Sequence, residues 1–362
     1  MSAAGLRVVL LAQGWTGFND ASLRALADRG AEVMVIRPLA ARDIEFTVHI
    51  DEFGHDRPYA GDAVAAEVIA QLAEFRPDVV LMHSWHYGPY REALKAQPPE
   101  VLRVLWMDNI WRNTAKQWLG RAVGRYWVRS IFDAVMVPSD RTEFFARRLG
   151  FAPHDVIRGS LCADTKLFGS EPRGAEEIGS RRAFVAVLRL VHHKGADVLA
   201  EAYRRYRDLA EDPWDLNLVG LGEMSDHFDG LPGVVRHGFL QPAQVADLMR
   251  ASSAYINPSR EDPYAVVLHE AALCGLPILT SDFVGAAPTM VSDGSNGWVV
   301  TAGRADLLAD AMLRMSSLPA ERLAEMSDIS RNLGRRLDSP RWARNMEEEL
   351  VRRRTAKLAL SR

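Results

Sequence analysis

Short runs of apolar, largely β-branched residues alternate with helical stretches along almost the whole chain, and this rhythm restricts the fold more than any other feature. In the first half the runs are "RVVLLA" (7–12), "EVMVIR" (32–37), "DVVLMH" (78–83), "RVLWMD" (103–108) and "AVMVPS" (134–139). Between them lie helical segments such as "DASLRALADRG", ending at Gly30, and "DAVAAEVIAQLAEF". Strands that are apolar throughout, with no polar alternation, are buried on both faces. Strands of that kind separated by helices predict a parallel sheet with helices above and below. The stretch "GSEPRGAEEIGSRR" (169–182) breaks the rhythm with glycine, proline and charge, and reads as a linker. The pattern then restarts with "AFVAVLR" (183–189), "DLNLVG" (215–220), "GVVRHG" (233–238), "AYINPS" (254–259), "PILTS" (277–281) and "GWVV" (297–300). The expectation is two Rossmann-like α/β domains, residues 1–168 and 183–338, joined by 169–182. A charged helix follows over 339–362, with Ser339 as its cap and Pro340 in its first turn.

A chain of 362 residues is too long for one ordinary core, which agrees with two domains. Its formal net charge of −3 supplies no overall basic field for nucleic acid. Two cysteines, Cys162 and Cys274, lie far apart in apolar surroundings, which excludes a disulfide framework or a zinc cluster and suits a reduced cytoplasmic protein. No apolar run approaches the roughly 18 residues that span a bilayer. "LRVVLLAQG" near the start lacks a basic leader and reads as a first strand.

The stretch "INPSREDPYAVVLHEAALCGLPILTS" (256–281) carries the chemistry. Locally, Asp262 suits an N-cap and Pro263 a first helical position, with a helix through "YAVVLHEAALC" stopped by Gly275 and Pro277. Glu270 falls among Val266, Val267, Ala271 and Cys274, where a carboxylate needs a partner or a ligand. Ribose hydroxyls would suit it, and the free amides and positive dipole end at the helix start would suit phosphate.

The same residues resemble the E-x7-E signature of the retaining GT-B glycosyltransferases, specifically family 4, glycosyl transferases group 1. Glu270 matches the second acid and Asp262 the first, with Glu261 beside it. "VLRLVHHKGADVLAEAY" (187–203) is similar to the family's phosphate-binding run, with Arg189 and Lys194 as its two cations. "LVGLGE" (218–223), "RHGFLQ" (236–241) and "SDGSNGWVV" (292–300) match later loops, and "AQGWTGFNDASLRALADRG" looks like the N-terminal glycine loop. Three departures are visible, the first being Ala265 where the family usually has a glycine after the motif's aromatic residue, a change that still offers a backbone N–H. "VGAAPT" (284–289) lacks the family's usual glutamate, and Asp108 or Asn109 stands where many members have a histidine.

The resemblance implies a GT-B fold, two Rossmann-like domains with parallel sheets facing across a cleft, and a final helix crossing back to the N-terminal domain. It implies retaining hexosyl transfer from a nucleotide-diphosphate sugar to a glycan, glycolipid or small-molecule hydroxyl. No metal or other cofactor is expected. Catalytic roles then fall to Arg189, Lys194, Asp262 and Asp108. Nucleotide-sugar contacts fall to Gly14, Gly17, Arg189, Lys194, Leu240, Ala265, Val266 and Glu270, and acceptor contacts to His83, His86 and Asp108. The alternatives are a non-catalytic nucleotide-sugar-binding subunit, or another GT-B enzyme such as a sugar-nucleotide epimerase.

Each assignment has a plainer competitor. Asp262 can simply be a cap, Arg189 and Lys194 surface ion pairs, the histidines structural, and two glycines after a strand a turn. Five tryptophans fall between residues 85 and 127, beside Arg121, Arg125 and Arg129 spaced four apart. That segment fits either a solvated face or a peripheral contact with lipid headgroups or an acidic glycan at the inner side of a membrane. The basic tail "RRRTAKLALSR" reads as a frayed end.

Overall fold

A computed structural model describes residues 5–39 and 47–360. The chain forms two compact units. The first comprises residues 1–162 together with 339–362, and the second residues 163–338.

In the first unit the strands are β1 (Arg7–Leu11), β2 (Glu32–Pro38), β3 (His55–Tyr59), β4 (Val79–His83), β5 (Leu102–Trp106), β6 (Ala134–Val137) and β7 (Val156–Arg158). Helices α1 (Gly17–Ala27), α2 (Ala65–Phe75), α3 (Gly88–Lys95), α4 (Ala115–Trp127) and α5 (Asp140–Arg148) connect them. All pairs are parallel, in the order β3-β2-β1-β4-β5-β6-β7. The five runs expected here all form strands. The sequence reading missed both edge strands. β3, "HDRPY", is polar and half exposed with Pro58 inside it, which only an edge strand tolerates. β7 is three residues long.

The second unit begins with the short helices α6 (Thr165–Phe168) and α7 (Ala175–Arg181). Its strands are β8 (Ala183–Val187), β9 (Asp215–Val219), β10 (Val234–Gly238), β11 (Ala254–Asn257), β12 (Ile278–Ser281) and β13 (Gly297–Val300). Between them run α8 (Ala196–Leu209), α9 (Pro242–Arg250), α10 (Val266–Leu273) and α11 (Ala287–Met290), and α12 (Ala305–Ser316) and α13 (Ala320–Arg335) close the unit. This sheet is also parallel, in the order β10-β9-β8-β11-β12-β13, and all six expected strands are present. In both sheets the order reverses next to the unit's own first strand, between β1 and β4 and between β8 and β11. Ligands of such sheets bind at that reversal, beyond the carboxyl ends of the strands.

Residues 169–182 are no free linker but part of the second unit. Arg173 is buried, donating Nη1 to the carbonyls of Arg250 (3.0 Å) and Ser252 (3.1 Å) and Nη2 to that of Gly275 (2.9 Å). Burial, then the charge of Arg181, lowers its pKa to about 10. Ile178 of α7 joins the apolar core. Composition misled here because a guanidinium, charged as it is, can satisfy several buried carbonyls at once.

The last helix, α14 (Ser339–Leu360), belongs to the first unit and packs along α1. Its Trp342 Nε1 donates to the Gly159 carbonyl over 2.7 Å, and Leu350 is fully buried. The basic tail is not frayed over its described residues. Arg353 donates to the carbonyls of His154 and Val156, Arg354 pairs with Asp78 (2.5 Å), and Lys357 pairs with Asp133 (2.5 Å). No helix among the described residues is long and apolar enough to cross a membrane.

Candidate functional site

At the β8/β11 reversal of the second unit, two loops are laced together. Leaving β8, the chain passes Arg189 and enters a 3-10 turn, His192–Lys194. Gly195 follows with φ +72°, and a Cβ there would lie 2.2 Å from the Pro258 carbonyl oxygen of the loop after β11. Only glycine combines that conformation with that approach. The Glu261 amide donates to the His193 carbonyl (3.1 Å), and Arg260 grips Asp197 at the start of α8 through two bonds of 2.5 and 2.7 Å. Replacing Gly195 by alanine is expected to cost about 2–4 kcal/mol, read as a lowered melting temperature.

Lys194 Nζ and Asp262 Oδ2 form a shielded ion pair at 2.6 Å, with side chains 19% and 10% exposed. Asp262 Oδ1 accepts the Tyr264 amide (3.2 Å), so it caps a turn. This corrects the expected helix start. The helix begins at Val266, its N-cap is Ala265, and neither Asp262 nor Pro263 belongs to it. Ala265 holds φ +65°, ψ +77°, a left-handed backbone that costs a residue with a Cβ about 1 kcal/mol or more. The helix ends as expected, with Gly275 left-handed and its amide bonded to the Ala272 carbonyl, while the Leu276 amide reaches the Ala271 carbonyl.

His269 fixes the rotation of α10. The Ala163 amide donates to its Nδ1 (3.1 Å), so Nε2 carries the proton and donates to the Gly334 carbonyl (2.9 Å). Burial pushes its pKa down to about 4, which keeps it neutral. With His269 locked inward, the next residue, Glu270, is half-buried and still reachable from solvent. The Glu270 carboxylate makes no hydrogen bond among the described residues. Desolvation, then the negative charge of Asp164, raises its pKa to about 7. Tyr255 on β11 is fully buried with its pKa raised, first by burial and then by the fields of Glu270 and Asp262, which places both carboxylates near one hydroxyl.

The other second-unit candidates lie as follows. Arg189 is exposed, with Nη2 3.3 Å from His193 Nε2. Gly220 lets the following loop press on this segment, since a Cβ there would sit 1.9 Å from the Leu188 carbonyl oxygen. Leu240 lies half-buried in the loop between β10 and α9, and Ala265 and Val266 form the start of α10.

In the first unit a cavity of about 830 Å³ opens at the β1/β4 reversal. Gly14, His83, His86 and Asp108 line it; Gly17, the first residue of α1, does not. His83 is neutral because burial lowers its pKa to about 4. Asn19 Nδ2 lies 3.4 Å from its Nε2, and the Trp106 ring stands edge-on at 5.2 Å. His86 is exposed, and its pKa is lowered by partial burial and by the charges of Lys116 and Arg91. Asp108 is exposed at the cavity wall. Sequence reasoning counted Trp106 only as one of five clustered tryptophans, and it missed Asn19. Asn19 stands two residues past Gly17 in the glycine loop and was open to notice, whereas Tyr255 and Asp164 give no signal in sequence.

Comparisons with known proteins bear on the family and the fold. Residues 181–317 match the family described as Glycosyl transferases group 1, and residues 20–158 match Glycosyltransferase Family 4. Spore coat protein SA of Bacillus subtilis is 25% identical over 280 residues, 70% of each chain. Glycogen synthase of Mycobacterium tuberculosis is 26% identical over 325 residues, 82% of this chain and 75% of its own. The crystal structure of Anabaena HepE in complex with UDP and glucose superposes with a TM-score of 0.73 at 17% identity, covering 96% of this chain and 99% of that one. At that identity the likeness establishes the fold.

Proposed function

The chain belongs to the group 1, family 4 glycosyltransferases of the GT-B fold, and from that premise we propose that it transfers a hexosyl group, with retention, from a nucleotide-diphosphate sugar to a hydroxyl acceptor. The observation that carries this reading is Glu270. It is a half-buried carboxylate without a hydrogen-bond partner among the described residues, one short helix away from the Lys194–Asp262 pair. Such a group is costly to leave unpaired, and two ribose hydroxyls would supply its missing donors. The relative determined with UDP and glucose has the same fold, which supports a donor of that class.

In this reading Arg189, Lys194 and the amides at the start of α10, from Ala265 and Val266, stabilise the charge that grows on the departing diphosphate. The bond from the sugar's anomeric carbon to the diphosphate oxygen breaks as the acceptor oxygen bonds to the same face. The acceptor's proton passes to the leaving phosphate, so no side-chain base and no metal is required. Asp262 holds sugar hydroxyls, and Leu240 lies near the base. The acceptor occupies the cavity of the first unit, against His83, His86 and Asp108, with Gly14 keeping its floor open.

A thermal-shift screen of UDP-, GDP- and ADP-linked hexoses tests the assignment. One donor is expected to raise the melting temperature of the native chain by several degrees and that of Glu270→Ala by far less. A shift of equal size in both proteins would remove Glu270 from the site.

A further inference from the structure

The outward face of α4 is apolar, which reverses the usual arrangement of a surface helix. Facing the body of the unit are Gln117, Gly120, Gly124 and Trp127, of which only Gly124 is buried. A Cβ on Gly124 would approach Leu149 Cδ2 to 3.3 Å, so this face is narrow and built for contact. Facing solvent are Trp118 (47% exposed), Leu119 (68%) and Tyr126 (77%), with Ala115 and Ala122 between them. Phe144 of α5 (48%) extends the patch. It is tied in by Arg148, which stacks 3.6 Å from the Phe144 ring and 5.0 Å from Trp111, itself edge-on to Trp118 at 5.4 Å.

One flank of the apolar strip is cationic. Arg121 and Arg125 are exposed one turn apart, and Lys116 is exposed on the other flank. Among the described residues no acidic side chain pairs with any of the three, and Arg121 lies over the Trp118 ring at 5.2 Å. Arg129, grouped with them in sequence, is excluded: it lies past the helix end and pairs with Asp155 (3.1 Å). The basic tail of α14 is likewise occupied by its own contacts within the unit. Arg121, Arg125 and Lys116 thus stand without acidic partners among the described residues, beside two residues, Trp118 and Tyr126, whose rings carry both an apolar body and a polar edge.

We propose that α4 is an interfacial helix that docks the protein on an anionic lipid bilayer, with Trp118, Leu119, Tyr126 and Phe144 entering the headgroup layer and Arg121 and Arg125 pairing with lipid phosphates. Unpaired arginines flanking a solvent-facing aromatic strip complement such a surface in both charge and polarity. A protein partner would need matching acidic groups of fixed position, whereas a bilayer supplies them anywhere. The same helix walls the first unit's cavity through Lys116, Leu119 and Gly120. Docking therefore sets that cavity beside the headgroups, where a lipid-linked hydroxyl acceptor would be found; this last clause rests on the proposed activity, and the docking itself does not.

Co-sedimentation of the full chain with phosphatidylcholine vesicles, with and without phosphatidylglycerol, tests the docking independently of any turnover. Binding is expected to the anionic vesicles only, to weaken with added salt, and to shift Trp emission to the blue. Trp118→Ser/Tyr126→Ser and Arg121→Glu/Arg125→Glu are each expected to lower partitioning at least about tenfold. All four positions are exposed, so unchanged melting temperatures will show that the variants fold. Equal binding to both vesicle types, or variants that bind as well as the parent, would overturn the proposal. So would a dimer in solution that Trp118→Ser/Tyr126→Ser dissociates, because a second copy would then cover this face.

Discussion

Binding of the donor nucleotide is expected to release a proton near neutral pH and to tighten as pH rises through about 7. The free protein holds Glu270 at about 7 against an ordinary value of 4.5, first because burial disfavours its charge and then because Asp164 repels it. Ribose hydroxyls donate to the ionised carboxylate, so binding lowers the pKa and expels the proton that half the molecules carry at pH 7. The same shift sets the stability of the free chain. A carboxyl whose pKa is raised on folding binds protons more strongly folded than unfolded. Stability is therefore greatest below about pH 4.5 as far as this group is concerned, and falls as pH rises from there through 7, by ~3 kcal/mol in all. Calorimetry in buffers of different ionisation enthalpy measures the released proton, and melting temperature against pH measures the slope. Glu270→Gln should abolish both and weaken nucleotide affinity by about a hundredfold, the loss of two hydrogen bonds to a charged group. A Glu270→Gln protein that keeps the native proton release would assign the titration elsewhere.

The second large effect concerns Lys194. Its ammonium is paired with a shielded Asp262 at 2.6 Å. Lys194→Met leaves that carboxylate with only the Tyr264 amide, at an expected cost of about 3 kcal/mol in stability. It also removes a cation from the departing diphosphate, and turnover is expected to fall by about two to three orders of magnitude. The double variant Lys194→Met/Asp262→Asn separates these. Stability should return to within about 1 kcal/mol of the parent, because the orphaned charge is gone, while turnover stays low. Recovery of both together would make the pair a purely structural bolt.

The strands that position these groups were legible because burial on both faces leaves an unbroken apolar run in the chain. The edge strands β3 and β7 were not, because an edge needs no such run and β3 even carries a proline. Asp-Pro at 262–263 was read as a helix start, since a cap and an Asx turn share the same residues. What decides between them is Lys194, 68 positions away in sequence, which takes the carboxylate. Glu270 stood out because its neighbours are apolar, yet nothing in the chain shows that His269 anchors the helix so that its neighbour stays open to solvent. The aromatic residues around α4 were visible, but periodicity locates a stripe without saying which side meets the core. Gly120 and Gly124 turned inward reverse the customary answer.

The return of α14 to the first unit has a consequence for biosynthesis. The second unit is one unbroken segment, residues 163–338, whereas the first is assembled from both ends of the chain. As the polypeptide leaves the ribosome, the later unit can therefore finish first. The sheet built from residues 7–158 must wait, with the face of α1 bare, until the last 22-residue helix emerges to cover it. Nascent chains stalled before Ser339 should accordingly recruit chaperones through α1, and release from them should coincide with the emergence of residues 339–360.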